Sequence, residues 1–202
     1  SNMSGPVKVD VLVVGSGVTG AEFASAYSIL GSRVTLVSSR DRVLPGHDND
    51  AAELIEEVFA QRGMTVLSRC RANAAKRVGD GVEVTLSDGR VIECSHVLLA
   101  VGSVPNTDGL NLQESGERLT DSGHIEVDRV SRTTISRIYA AGDCTGVLPL
   151  ASMAAMQGRI AMWHALGDAV SPLNIAHVSS NNFTLPEIAT VAVTQDSIDS
   201  GD

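Results

Sequence analysis

The chain has 202 residues, 43% of them hydrophobic, and a formal net charge of −9. This length and composition allow a substantial buried core, so a disordered chain is excluded, and the acidic balance argues against a nucleic-acid ligand. Charged residues interrupt every apolar stretch before the roughly 20 residues that span a bilayer, and signal-peptide features are absent, so we expect a cytoplasmic protein without a transmembrane segment.

The first predicted elements form a strand, a helix and a second strand. The apolar run from Val9 to Val14 ends in a glycine, as is typical of a central strand buried on both faces. A helix is predicted from Val18 to Leu30, with Gly31 as its C-terminal cap, and a short strand from Val34 to Val37. This βαβ unit predicts a parallel sheet with a right-handed crossover.

The next stretch changes character after one more helix and strand. Gly-Asp-Gly and Ser-Asp-Gly turns separate short alternating segments, which predicts an antiparallel meander. The predicted elements are a helix over 48–62, a strand over 64–67, meander strands over 75–78, 82–86 and 90–93, and a buried strand over 97–101.

Beyond residue 102 the chain is rich in Gly, Asn, Asp and Ser, and extended linking structure is predicted as far as residue 136. A buried strand is predicted over 138–141, a helix over 151–166 and a final strand over 188–193. In the helix, a stripe of apolar side chains at helical spacing is typical of core packing. The stripe comprises Met153, Met156, Ile160 and Trp163.

The run from Gly15 to Gly20 has the spacing G-x-G-x-x-G. The first glycine, Gly15, turns the chain off the strand, Gly17 lets the backbone approach a pyrophosphate, and Gly20 lets the helix pack closely on the sheet. The free N–H groups at the helix start, those of Val18 and Thr19 among them, favour phosphate. Because the motif follows a buried strand and opens a helix, it indicates a dinucleotide site. The alternative is that the glycines only permit packing.

The residue that ends the second strand reports on the ribose of the nucleotide. A carboxylate there favours NAD, whereas nearby arginine accommodates the 2′-phosphate of NADP. Here the residue is Ser38, and Arg40 and Arg42 follow it. This pattern favours NADP(H), or use of both nucleotides. The alternative is that the two arginines belong to a solvated turn.

Gly142 and Asp143 follow the strand predicted over 138–141, where open α/β sheets place their ligands. The carboxylate of Asp143 is suited to accept a hydrogen bond from a sugar or ribityl hydroxyl. The alternative, left open by the spacing, is an aspartate that caps the next helix.

Cys70, Cys94 and Cys144 are odd in number and widely spaced. Neither a disulfide framework nor a metal site is therefore suggested, and reduced structural thiols are expected.

Five motifs in order resemble one family. They are GSGVTGAE, VLLAVGSVPN, TTISRIYAAGD, LASMAAMQGR and FTLPEIATV. Together they are similar to the pyridine nucleotide-disulfide oxidoreductases, the flavoproteins of the lipoamide dehydrogenase and glutathione reductase type. The resemblance implies an NAD(P)-binding domain over 7–102, the C-terminal segment of an FAD-binding domain over 103–176, and the truncated start of a dimer-interface domain over 177–202.

The resemblance also assigns roles to residues of this chain. The three glycines of the loop would hold the pyrophosphate, and Glu22 would lie near the nicotinamide. Gly102 would contact the nucleotide, and Asp143, after Gly142, would bind the ribityl chain of FAD. Ser103 stands where the family usually has arginine.

The family's other functional residues are not in this sequence. The glycine fingerprint of the FAD domain, the redox-active cysteine pair and the C-terminal histidine–glutamate dyad are missing, so no residue is assigned as catalytic. We therefore expect a fragment, inactive alone, of an FAD-dependent NAD(P)H oxidoreductase that is homodimeric at full length.

The full-length protein would pass hydride from NAD(P)H to flavin and on to a small-molecule acceptor, a quinone or a disulfide. The sequence around LPLASMAAMQGR is similar to that of actinobacterial quinone-reducing paralogues of lipoamide dehydrogenase. The alternative is a stand-alone dinucleotide-binding or redox-sensing module without catalysis.

Overall fold

A computed structural model describes residues 10–191 and 193–201. The chain divides into two compact units, one formed by residues 1–102 and 181–202 and the other by residues 103–180. The strands are β1 Asp10–Val14, β2 Arg33–Val37, β3 Thr65–Leu67, β4 Ala72–Val78, β5 Gly81–Leu86, β6 Val91–Cys94, β7 His96–Leu99, β8 Ser179–Asn182 and β9 Ile188–Val191. The helices are α1 Val18–Ile29, α2 Asn49–Gln61, α3 Ala151–Leu166 and α4 Gln195–Ser200.

The first unit is built on a parallel four-stranded sheet in the order β3-β2-β1-β7. Val14, the last residue of the central strand β1, lies opposite Val37 of β2 and Leu99 of β7. The carboxyl ends of these three strands therefore meet at one edge of the sheet, which is where parallel α/β sheets carry their ligand sites.

The central strand is covered on both faces. Val11 and Val13 belong to the hydrophobic core that the sheet forms with the helices. Leu12 and Val14 belong to a second core, shared with β5 of the antiparallel β4-β5-β6 meander. Because the side chains of β1 point alternately into two apolar layers, the sequence of the strand is a nearly continuous apolar run. The predicted α/β fold, with a parallel sheet, helices and a meander, is confirmed.

The strand predicted over 97–101 is shorter and less buried than expected. It ends at Leu99, whose exposed fraction is 67%, and Val101 is 72% exposed. The reason is that, among the described strands, β7 lies at the edge of the sheet and pairs with β1 alone. An apolar run does not distinguish an edge strand from a central one.

Some predicted boundaries fall outside the described residues. This holds for residues 7–9 of the domain predicted over 7–102, and for Ala192 and Asp202 of the one predicted over 177–202. Residues 181–202 cluster with the first unit. The assignment of 177–202 to a dimer-interface domain stays a prediction.

In the second unit, the prediction of a buried strand over 138–141 is wrong. The segment forms a single bridge, between Tyr139 and Arg132, and Ile138 is 42% exposed. The N–H of Ile138 donates to the carbonyl of Ile135 in a local turn, and the N–H of Ala140 donates to the carbonyl of Ser131 beside the bridge. Since a strand requires a neighbour that continues the ladder, the apolar pattern alone does not produce one here.

The helix predicted over 151–166 is confirmed as α3. Its apolar stripe is buried only in part: Met153 and Ile160 are core residues, whereas Met156 and Trp163 are 40% and 45% exposed. The prediction that the whole stripe is core packing is therefore wrong for these two side chains. None of the described helices is both long and apolar enough to cross a membrane.

Candidate nucleotide-binding site

The loop between β1 and α1 begins with a glycine in a conformation that excludes other residues. Gly15 has a φ of +111°, and its N–H donates to the carbonyl of Val37 at 2.9 Å. A Cβ at this position would lie 2.1 Å from the carbonyl oxygen of Ala100. Glycine is therefore required here because the loop passes directly over the end of β7.

The third glycine brings the helix close to the loop. A Cβ on Gly20 would lie 1.9 Å from the carbonyl oxygen of Gly15, so α1 begins in backbone contact with the turn that precedes it. Gly20 is buried accordingly. Both Gly15 and Gly20 are needed by the fold itself.

The second glycine is different. A Cβ on Gly17 would have nothing within 4 Å, and its φ of −68° and ψ of −174° are accessible to any residue. Neither packing nor backbone conformation within the described chain requires glycine there. Space left open beside the backbone is what a pyrophosphate needs for close approach.

The start of α1 offers hydrogen-bond donors to an anion. The N-cap, Gly17, has no side-chain cap, and the first turn carries no acidic residue. The N–H of Ala21 makes the first helical bond, to the carbonyl of Gly17. The N–H groups of Val18 and Thr19 precede it and point out of the helix end, where the helix dipole favours negative charge.

Ser38 closes the far side of this loop rather than facing solvent. It is fully buried, and its hydroxyl lies 2.6 Å from that of Ser16. The N–H of Arg40 donates to the Ser38 hydroxyl at 3.0 Å, and the N–H of Leu44 donates to the Ser16 carbonyl at 2.8 Å. The segment after β2 is thus fastened to the glycine loop.

Arg40 is exposed and Arg42 is half-buried. Within the described part of the chain, neither guanidinium is paired with a carboxylate. Asp41, between them in sequence, is paired instead with Arg69, whose Nε donates to its Oδ1 at 2.7 Å. The two arginines that follow β2 are therefore free to bind an anion beside the glycine loop.

Glu22 forms a hydrogen bond within the first unit. Its half-buried carboxylate accepts a hydrogen bond from the N–H of Phe183 at 2.8 Å. Gly102, at the end of the first stretch of this unit, has a φ of +103°, and a Cβ placed on it would have no neighbour within 4 Å. Its conformation favours glycine, and the space beside it is open.

The second unit holds Gly142 and Asp143 at the start of a 3-10 turn rather than at a strand end. The N–H of Gly142 donates to Oε1 of the buried Gln157 at 2.8 Å, and Gln157 also donates to the hydroxyl of Thr145. The carboxylate of Asp143 is exposed, makes no hydrogen bond to the described residues and caps no helix. A side chain held at a fixed turn with no internal partner suits a hydroxyl-bearing ligand.

The three thiols are free. Cys70 is buried and Cys94 and Cys144 are half-buried, and burial raises the pKa of the Cys94 thiol. A raised pKa disfavours the thiolate that disulfide exchange requires.

The sequence motifs indicated part of this geometry. The structure brings the glycine loop and Ser38 together, but the Ser16–Ser38 contact and the Asp41–Arg69 pair were not predicted. A serine in the second position of the loop gives no signal by itself, and Arg69 lies 28 residues beyond Asp41.

Fold and loop together are typical of dinucleotide-binding proteins: a parallel sheet whose central strand ends in G-x-G-x-x-G at the start of a helix. The family model of the pyridine nucleotide-disulphide oxidoreductases matches residues 3–158. The chain therefore belongs to that family, as its motifs predicted.

Relatives of known sequence are longer proteins. The chain is 57% identical to an NAD(P)H dehydrogenase (quinone) of Mycobacterium tuberculosis over 95% of this chain and 39% of that protein. It is 34% identical to a dihydrolipoyl dehydrogenase of Staphylococcus aureus over 92% of this chain and 40% of that one. It thus spans about two fifths of the length of these relatives.

Solved structures agree with the fold. A crystal structure of LpdA from Mycobacterium tuberculosis superposes with a TM-score of 0.89 at 57% identity, covering 95% of this chain and 42% of that one. An HOCl-induced flavoprotein disulfide reductase of Escherichia coli superposes with a TM-score of 0.86 at 25% identity, covering 95% and 44%.

Proposed function

We propose that this chain binds the nicotinamide dinucleotide of an FAD-dependent NAD(P)H oxidoreductase at the loop from Gly15 to Gly20. The observation that carries the proposal is the contrast within the loop: Gly15 and Gly20 are explained by internal contacts, whereas Gly17 borders open space. The residues fit the group, since a pyrophosphate beside Gly17 would accept hydrogen bonds from the N–H groups of Val18 and Thr19.

The nucleotide preference we propose is NADPH at least as tight as NADH. Ser38 puts no negative charge at the end of β2, and its hydroxyl is already bonded to Ser16 and to the N–H of Arg40. The guanidinium groups of Arg40 and Arg42 would bind the 2′-phosphate, which NADH lacks. Gly102 would contact the nucleotide through its backbone, and Glu22 would lie toward the nicotinamide end.

For FAD, we propose that Asp143 accepts a hydrogen bond from a ribityl hydroxyl. Gly142 is held by Gln157, which fixes the position of the neighbouring carboxylate. The bound flavin would supply a two-electron carrier between the nicotinamide and the acceptor. No residue of this chain is proposed to transfer a proton or to form a covalent intermediate.

The acceptor we propose for the longer protein is a quinone. The relative at 57% identity is named for quinone reduction, whereas the relative named dihydrolipoyl dehydrogenase that is given above is 34% identical. Reaction with a dithiol or a disulfide would require an exchange-active cysteine pair from the part of the longer protein outside this chain. A cytoplasmic location and a homodimer of the longer protein stay predictions from the sequence.

The test of nucleotide binding is isothermal titration calorimetry of the chain with NADPH and with NADH. We expect saturable one-to-one binding of both, with NADPH at least as tight. If neither NADPH nor NADH binds at millimolar concentration, the proposal is contradicted. Tight binding of both together with stoichiometric retention of flavin would favour an independent redox module over a part of a larger enzyme.

A further inference from the structure

Two stretches that are joined beside the glycine loop carry four arginines, in a chain whose net charge is −9. The stretch that follows β2 contributes Arg40, Asp41 and Arg42, and the turn between β3 and β4 contributes Arg69 and Arg71. In sequence, Asp41 lies between the two arginines proposed to bind the 2′-phosphate. A phosphate that approaches them also approaches this carboxylate, which repels it.

The two stretches are joined by backbone hydrogen bonds. The N–H of Arg69 donates to the carbonyl of Arg40 at 2.9 Å, and the N–H of Cys70 donates to the carbonyl of Ser38 at 2.8 Å. The β3–β4 turn is therefore held at a fixed position beside the loop that carries Asp41.

Arg69 itself sits in an unfavourable backbone conformation. Its φ is +54°, in the left-handed region that glycine and asparagine adopt more readily. Its side chain pairs with Asp41, and the two side chains are 79% and 78% exposed. So exposed a pair contributes little to folding stability. The presence of arginine at this position is not explained by stability.

We propose that Arg69 is a positioning residue for nucleotide selection: by pairing with Asp41 it cancels the carboxylate that would otherwise repel the 2′-phosphate. The inference rests on the proposed binding of NADPH at this site. It assigns the effect of Arg69 to Asp41 and to no direct contact with the nucleotide. Arg69 thereby acts on NADPH and leaves NADH nearly unaffected.

The experiment compares the affinities of NADPH and NADH, by calorimetry at low salt, for the wild-type chain and four variants. Arg69→Gln keeps the Cβ, and hence the backbone strain, but removes the charge. We expect NADPH to bind about three- to tenfold more weakly and NADH to change less than about twofold, the size expected for one unpaired charge near a protein surface. Raising the salt should shrink the effect.

The other variants separate the mechanisms. Arg69→Lys should retain the wild-type preference, and the double variant Asp41→Asn/Arg69→Gln should restore NADPH binding to near the wild-type level. Arg33→Gln is the matched control, because Arg33 forms a similar exposed ion pair with Asp10 at the amino ends of β1 and β2. It should change neither affinity.

Two outcomes would overturn the inference while leaving the proposed function standing. Equal weakening of both nucleotides by Arg69→Gln would show a merely structural role. A double variant as weak as Arg69→Gln would show that Arg69 does not act through Asp41. If the wild-type chain binds NADH but not NADPH, the proposed preference for NADPH fails, and if it binds neither nucleotide, the proposed function fails. In both cases the inference fails before any variant is measured.

Discussion

The hydroxyl oxygens of Ser16 and Ser38 lie 2.6 Å apart, and this contact joins the glycine loop to the end of β2. Ser38 also accepts a hydrogen bond from the N–H of Arg40. The hydroxyl that stands where NAD-selective sites carry a carboxylate thus supports two loops at once. Its position links the shape of the pyrophosphate loop to the orientation of the proposed phosphate-binding arginines.

Replacing Ser38 with alanine should lower the free energy of unfolding by about 1–2 kcal/mol, because it leaves buried polar groups without a partner. The measurement is urea denaturation followed by circular dichroism. Ser39→Ala is the control, since Ser39 is exposed, and it should leave stability unchanged. A Ser38 variant as stable as the Ser39 variant would show that the contact contributes nothing.

Gly17→Ala should lower nucleotide affinity, whereas Gly20→Ala should lower stability. At Gly17 the methyl group enters open space, so stability should stay within about 1 kcal/mol of wild type. The methyl would occupy the space of the pyrophosphate, so the affinity for both nucleotides should fall by about tenfold or more.

At Gly20 the methyl would lie 1.9 Å from the carbonyl oxygen of Gly15. This variant should lose about 1–3 kcal/mol of stability, because the helix must move away from the loop. Thermal unfolding and calorimetry of both variants give the comparison. Unchanged nucleotide affinity in a folded Gly17→Ala variant would place the pyrophosphate elsewhere.

Replacing Arg40 and Arg42 together with alanine should weaken NADPH selectively. Each lost charge-assisted hydrogen bond to phosphate should cost roughly 1.5–3 kcal/mol of binding free energy. The affinity for NADH should hardly change. Calorimetry with both nucleotides is the check, and an equal loss for both would show that the arginines do not read the 2′-phosphate.

The purified chain should show no flavin absorbance. The adenosine and pyrophosphate of FAD would rest on a second glycine-rich loop, which is not in this sequence, and Asp143 offers only one carboxylate to the flavin. A single hydrogen bond does not retain a dinucleotide. A visible spectrum of the protein as purified, and again after incubation with FAD and gel filtration, tests this. A stoichiometric yellow preparation would contradict it.

The longer protein should reduce quinones with NAD(P)H and show little dihydrolipoamide activity. A quinone can take electrons directly from reduced flavin, whereas reaction with a dithiol needs a reactive cysteine pair. Steady-state turnover with menadione is to be compared with turnover of dihydrolipoamide. Rapid dihydrolipoamide oxidation that thiol alkylation blocks only after reduction by NADH would place the protein with the disulfide reductases instead.

The sequence predicted the first unit well because its signals are local. The run from Asp10 to Val14 is apolar at every position after the first, and the glycine spacing after it has a geometric meaning that needs no knowledge of distant residues. In the second unit, the helix predicted over 151–166 also has the bounds that the structure shows, since Gly167 ends it with a φ of +85°.

The failures share a cause. Whether residues 138–141 form a strand, and whether Leu99 is buried, depends on how far a neighbouring segment continues beside them, which the apolar pattern of the segment itself does not show. The Asp41–Arg69 pair likewise joins a loop to a turn that one helix and one strand separate. Composition and spacing predict elements, but contacts between distant segments are set by the packing of the whole unit.

The first unit is discontinuous in sequence: residues 181–202 belong to it together with residues 1–102. Glu22 binds the backbone of Phe183 across 161 residues, and Ser25 and Arg62 bind the backbone of Leu185. During translation, α1 is made long before these partners leave the ribosome. Part of the surface of the first unit therefore stays exposed until residues 181–202 have been synthesised. Because a long loop has to close, we expect the docking of this segment to be the slow step of folding.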